Sequence, residues 1–142
     1  MSDLEKIRSW LSTYSATEQL QSLVIDYYAP QKDSSIRPAG LAELSRSGNV
    51  LGKVTVENQY NFGLYYVLRS DSTGATDPNA EWILGLQRWI QEQSVRRLAP
   101  TFGDEPETER IYAHNGALYA TNEDGTATYI LQLTIHFTKY YE

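Results

Sequence analysis

Two stretches of the chain alternate apolar and polar positions over strand-like lengths. In 128–142, Tyr129, Leu131, Leu133, Ile135 and Phe137 share one side, and Thr128, Gln132, Thr134, His136 and Thr138 the other, with Ile130 the exception. A period of two over about ten residues is the mark of a long half-buried strand. In 54–69, Val54, Val56, Tyr60, Phe62, Leu64, Tyr66 and Leu68 fall on even positions, interrupted by Asn58. Asn58 and Gly63 are read as marks of a bulge or bend in this strand. Shorter strands are predicted over 20–28, ended by Pro30, and over 110–121.

The helical period occurs twice. Ser2 followed by Glu5 is a capping-box pattern, and Leu4, Ile7, Trp10, Leu11 and Tyr14 make one face of a helix over about 3–14. Asp77 and Pro78 read as N-cap and first helical residue of a second helix over about 78–98. Its stripe is Trp82, Ile83, Leu86, Trp89 and Ile90; Arg96 and Arg97 suit its C-terminal dipole, and Pro100 stops it. Between these elements, 31–40 reads as a polar surface loop with Pro38 and Gly40. Residues 41–46 are ambiguous; a turn at Ser47, Gly48 and Asn49 favours a strand on each side, hence a hairpin. Residues 70–76 and 101–109 are further loops, and 122–125 is a hairpin turn. The order helix, strand, hairpin, helix, hairpin predicts an α+β fold: an antiparallel or mixed β-sheet with two helices packed on one face.

Composition sets bounds on this picture. The 142 residues, 41% hydrophobic and 21% charged, are expected to form a single domain over 1–142 with a sizeable core. No apolar run is long enough for a membrane span, and the acidic N-terminal segment does not resemble a secretory signal. No cysteine is present, which removes disulfides, thiolate metal sites and a cysteine nucleophile. The net charge of −6, with basic residues scattered, disfavours direct DNA binding, although it suits a protein that lets DNA pass without gripping it.

Catalytic patterns are hard to find. His114 and His136 fall on adjacent predicted strands, but a metal site needs a third ligand, and none has matching spacing. No nucleophile elbow or phosphate-cradling glycine loop is present, and no cofactor is expected. Asp104, Glu105, Glu107 and Glu109 have two readings: a solvated loop, or an acidic surface facing a lumen or a basic partner. Eleven tyrosines against three phenylalanines suit half-exposed sheet faces and subunit interfaces, or follow from strand propensity alone.

The sequence of segments supports a resemblance. An N-terminal helix leads to SLVIDYYAP, then the glycine-marked AGLAELSRSGNVLGKV and the strand NQYNFGLYYVLRS. There follow EWILGLQRWIQEQSVRRLAP, an acidic loop, and the closing hairpin GALYATNEDGTATYILQLTIHFTKYY. This arrangement resembles the minor capsid or tail-terminator (tail completion) proteins of long-tailed bacteriophages that infect Gram-positive hosts. Trp89 and Ile90 with Leu98, Ala99 and Pro100, and the alternation from Tyr129 to Ile135, carry the likeness. It spans nearly the whole chain and is architectural, not chemical.

The resemblance implies a non-enzymatic virion protein, made in the bacterial cytoplasm and located at the tail–head junction. Its copies would form a hexameric ring that caps the tail tube, ends tube polymerisation and joins the head connector or stopper protein. DNA would pass through without specific binding, and no membrane is involved. Asp104, Glu105, Glu107 and Glu109 would then line the lumen or meet a partner. Unpaired tyrosine-rich strand edges, with Tyr60, Tyr65, Tyr140 and Tyr141 as candidates, would meet neighbouring subunits. A neighbouring head–tail joining protein of similar fold would fit the same features. The opposing class is a small α+β binding module or enzyme with a pocket between sheet and helices, near His114 and His136.

Overall fold

The computed structural model describes residues 2–14, 24–25, 35–69, 78–121 and 126–142. In chain order these form α1 (Asp3–Leu11), β1 (Val24–Ile25), β2 (Ser35–Gly48), β3 (Val54–Arg69), α2 (Pro78–Val95), β4 (Arg110–Thr121) and β5 (Thr126–Tyr141), with a 3-10 turn at Pro106–Thr108. The sheet order is β1-β2-β3-β5-β4. All neighbours are antiparallel except β1 and β2, which run parallel, so the sheet is mixed. The fold is α+β, as the order of periodicities predicts. The predicted loop at 70–76, the turn at 122–125, the N-cap Asp77 and most of the strand predicted over 20–28 lie outside the described residues.

The long β3–β5 pairing organises the sheet. Its register runs unbroken from Val54 opposite Tyr141 to Arg69 opposite Thr126. Side chains alternate faces along each strand, so this register puts Phe62, Leu64 and Tyr66 beside Leu133, Leu131 and Tyr129 on one face. All six are buried, together with Ile135 and Phe137. Both helices cover that face: Ile7, Trp10 and Leu11 of α1 and Trp82, Ile83, Leu86 and Ile90 of α2 join the same apolar cluster. Burial of each large apolar side chain of this kind contributes roughly 1.5–3 kcal/mol.

The helices are also joined to each other. The rings of Trp10 and Trp89 stack at 5.2 Å, Tyr14 packs on Trp82 and Trp89, and the Trp10 indole Nε1 donates to Gln93 Oε1 at 3.1 Å. Ser2 caps α1 by accepting from the Glu5 amide at 3.2 Å.

Four expectations need correction. First, the predicted loop at 31–40 is strand from Ser35 onward. Pro38 and Gly40 mark an irregularity inside that strand and not a connector. Between Pro38 and Leu41 two residues of β2, Ala39 and Gly40, stand opposite the single Asn61 of β3, with Gly40 at φ +103°, where a side chain would be strained. Second, the register irregularities lie in β2, the other at Leu44, and in β4, and not in β3, where Asn58 and Gly63 stay in register with β5. Third, α1 stops at Leu11, short of Tyr14.

Fourth, α2 ends at Val95, so Arg96 and Arg97 follow the last turn. They close it through a Schellman motif: the Leu98 amide donates to Gln93 O at 2.9 Å and the Arg97 amide to Ser94 O at 3.2 Å. Arg97 therefore sits at φ +58°, in the left-handed region that costs a side chain about 1–2 kcal/mol. Arg97→Gly should raise stability by about 0.5–1 kcal/mol after its greater unfolded-state entropy is deducted. A urea midpoint that moves down would contradict this geometry.

Candidate assembly surfaces

The acidic segment after α2 contains two kinds of residue. Asp104 and Glu107 are exposed and Glu105 half-buried, at the end of the sheet where β5 finishes. Asp104 is tied there: its amide donates to Thr138 O at 2.7 Å, and its Oδ2 accepts from the Tyr140 amide at 2.8 Å. Gly103 permits this approach, since a Cβ there would collide with the Thr138 carbonyl. Lys139 Nζ stands 3.7 Å from Asp104 Oδ2.

Glu109 does not belong with them. It is only 8% exposed, and its two carboxylate oxygens accept from the amides of Phe102, at 2.8 Å, and Gly103, at 2.9 Å. It works as a brace for the loop and is not a lumen or partner-facing residue. Sequence spacing cannot distinguish a carboxylate spent on backbone amides from a solvated one. Burial pushes its pKa up, opposed by the two amide bonds and by Lys6.

The four candidate interface tyrosines also separate. Tyr60 is committed internally: its hydroxyl donates to Asp3 Oδ2 at 2.7 Å, and its ring packs on Phe137 at 4.6 Å and on Phe62. Burial, with the Asp3 bond next, pushes its phenol up to about 12. It therefore ties α1 to the sheet. Tyr65 lies on the face away from the helices, edge-on to Tyr119 and beneath the Arg37 guanidinium at 4.8 Å. Tyr140 and Tyr141 are exposed at the end of β5, and Lys53 stands 4.3 Å over the Tyr140 ring.

His114 and His136 are on that outer face too, and are not brought together. His114 is opposite Gln132 and His136 opposite Arg110, four residues apart along the ladder, roughly 13 Å. His136 Nε2 meets Gln59 Oε1 at 3.0 Å within a polar ladder that continues from Gln59 to Asn61. No cluster of three or more metal-ligating side chains occurs among the described residues. None of their helices is long and apolar enough to cross a membrane.

Two features escaped sequence reasoning. The first is the pair of apolar residues that the predicted β2–β3 turn presents. The Asn49 side chain accepts from the amides of Leu51 and Lys53, at 2.9 and 3.1 Å, and Gly52 takes φ +87°. This well-bonded turn holds Val50 and Leu51 fully in solvent, at 102% and 90% exposure. Asn49 was legible as a turn residue; the outward aim of its two neighbours was not. The second is a groove of about 470 Å³ between α2 and β4, with Leu84, Val95 and Ile111 along it and Arg88, Arg97 and Arg110 around it. Above its floor, α2 reaches the edge of β4: the Ile111 amide donates to Ser94 Oγ at 3.0 Å, and Gln87 Nε2 donates to Ala113 O at 3.5 Å.

No protein-family model matches the chain, and no curated protein matches it.

Glu109→Ala should cost about 2 kcal/mol, because it leaves the Phe102 and Gly103 amides without an acceptor, whereas Glu107→Ala should change stability by less than about 0.5 kcal/mol. The folded state holds the Glu109 proton more tightly than the unfolded chain. The gap between wild type and Glu109→Ala therefore widens as the pH falls through the raised pKa towards the ordinary carboxylate value, and narrows above it. Denaturant titrations over that range, showing equal losses for the two variants, would remove the brace.

Proposed function

We propose that the chain is a structural virion protein that closes into a ring on the tail tube of a long-tailed bacteriophage. The ring ends tube polymerisation and presents the joining surface for the head connector. The observation that supports this reading most is the ordered β2–β3 turn with Val50 and Leu51 fully exposed. Two large apolar side chains held in water on a well-bonded turn are best explained by a protein surface that covers them. The resemblance of segment order to tail-terminator proteins supplies the identity of the assembly, and the net charge of −6 suits a channel that DNA must leave freely. A head–tail joining protein one position along the same axis draws on the same surfaces.

The reading is tested with purified tail-tube protein. Tubes polymerised in the presence of this chain should stop at a bounded length and carry it at one end only. Tubes that grow past that length would exclude a terminator, and attachment to the connector alone would favour the joining protein.

The acids Asp104, Glu105 and Glu107 are proposed to face the channel or the partner beside it. Reversing all three to lysine should lower infectivity, through DNA passage where the loop faces the channel and through ring assembly where it faces a neighbouring copy. Infectivity equal to wild type would move this loop away from the DNA path.

A further inference from the structure

The apolar turn and the arginine-rimmed groove lie towards opposite edges of the sheet. Val50 and Leu51 belong to the β2–β3 hairpin, while the groove runs along β4, the last strand on the other side. Among the described residues, strand-to-strand pairing between copies is hindered along β4 and along the part of β2 beyond its short pairing with β1. β2 carries Pro38 and two bulges, and side chains of α2 occupy edge groups of β4 at Ile111 and Ala113. A contact at these edges must therefore be made by side chains.

The charges around the two features are opposite. Gly48 and Val54, which flank the turn, pair in register with each other and with Tyr141. The same end of the sheet holds Asp104 through the Tyr140 amide, with Glu105 and Glu107 following. Around the groove, Arg88, Arg97 and Arg110 are exposed, and the carboxylate among its lining residues, Glu109, is spent on backbone amides.

We propose that Val50 and Leu51 of one copy seat in the α2–β4 groove of the next copy, over Leu84, Val95 and Ile111. Arg88 and Arg110 of the groove then face Glu105 and Glu107 beside the turn. Because the two surfaces are different patches of one chain, the contact is head-to-tail, the kind that closes into a ring when its rotation permits. The existence of a contact between copies rests on the ring reading above; the choice of surfaces rests on their shape and charge.

The absence of cysteine makes the test direct. Leu51→Cys and Val95→Cys change exposed positions, so both variants should fold. Mixed at millimolar concentration, alone and on tail tubes, and treated with a short bis-maleimide, they should give a crosslinked dimer that neither variant gives by itself. Arg88→Glu with Arg110→Glu should lower that yield about tenfold, and Glu105→Arg with Glu107→Arg in the partner should restore it. Failure of the charge swap to restore the yield would overturn the rim pairing. A Leu51→Cys product with itself would replace the head-to-tail contact by a symmetric one. A product only with the tube protein would make the turn a heterologous docking element. Sedimentation of the unmodified protein separates the two levels: assembly without the mixed crosslink overturns these surfaces and leaves the ring, and a monomer under both conditions overturns both.

Discussion

The register between β3 and β5 is the constraint on which the rest of the structure depends. Two sixteen-residue strands pair without a break, so a single parity decides the face of every side chain along them. A slip of β5 by one residue would send Leu131, Leu133 and Ile135 to the outer face and Gln132, Thr134 and His136 under the helices. The penalty for that exchange is many times the energy of any one contact, which makes this pairing the template for both helices. The helices then lock each other through the Trp10–Trp89 stack, with ring pairs of this kind adding roughly 0.5–1.5 kcal/mol beyond burial.

The same register explains where binding surfaces can exist. Most of one face of the sheet is covered by α1 and α2, which leave on it a hollow of about 690 Å³ beside Asp3, Val54, Val56, Tyr60 and Phe137. The other carries a polar and aromatic ladder whose groups are largely engaged with one another, such as Gln59 with His136, Asn115 with Gln132, and Tyr65 with Tyr119. Among the exposed apolar groups, several sit at the sheet's margins: Val50 and Leu51 at the hairpin turn, Leu84 and Val95 beside β4, Tyr140 and Tyr141 at the end of β5.

Elements with strong periodicity were legible in the residues. The β5 alternation and the α2 stripe located their buried faces, since burial acts on every residue of such a pattern at once. Signals resting on one residue type were less secure. Pro38 and Gly40 carry the chemistry of a loop, yet a bulge inside an edge strand uses the same chemistry, and only the partner strand distinguishes them. Glu109 looked like one more acid in an acidic run until the folded chain placed two amides against it. Tyr60 matched an interface residue in composition and found its partner, Asp3, far away in sequence. The groove between α2 and β4 depends on how a helix sits over a strand edge, which no local pattern encodes.

The proposed role is that of a closed ring of identical copies at one end of a tube. Cryo-electron microscopy of the protein bound to purified tail tubes tests it most directly. The account predicts a single hexameric ring at one tube end, with density for the β2–β3 turn bridging to the α2–β4 side of the neighbouring copy. Copies scattered along the tube wall, or tube ends left bare at saturating protein, would contradict it.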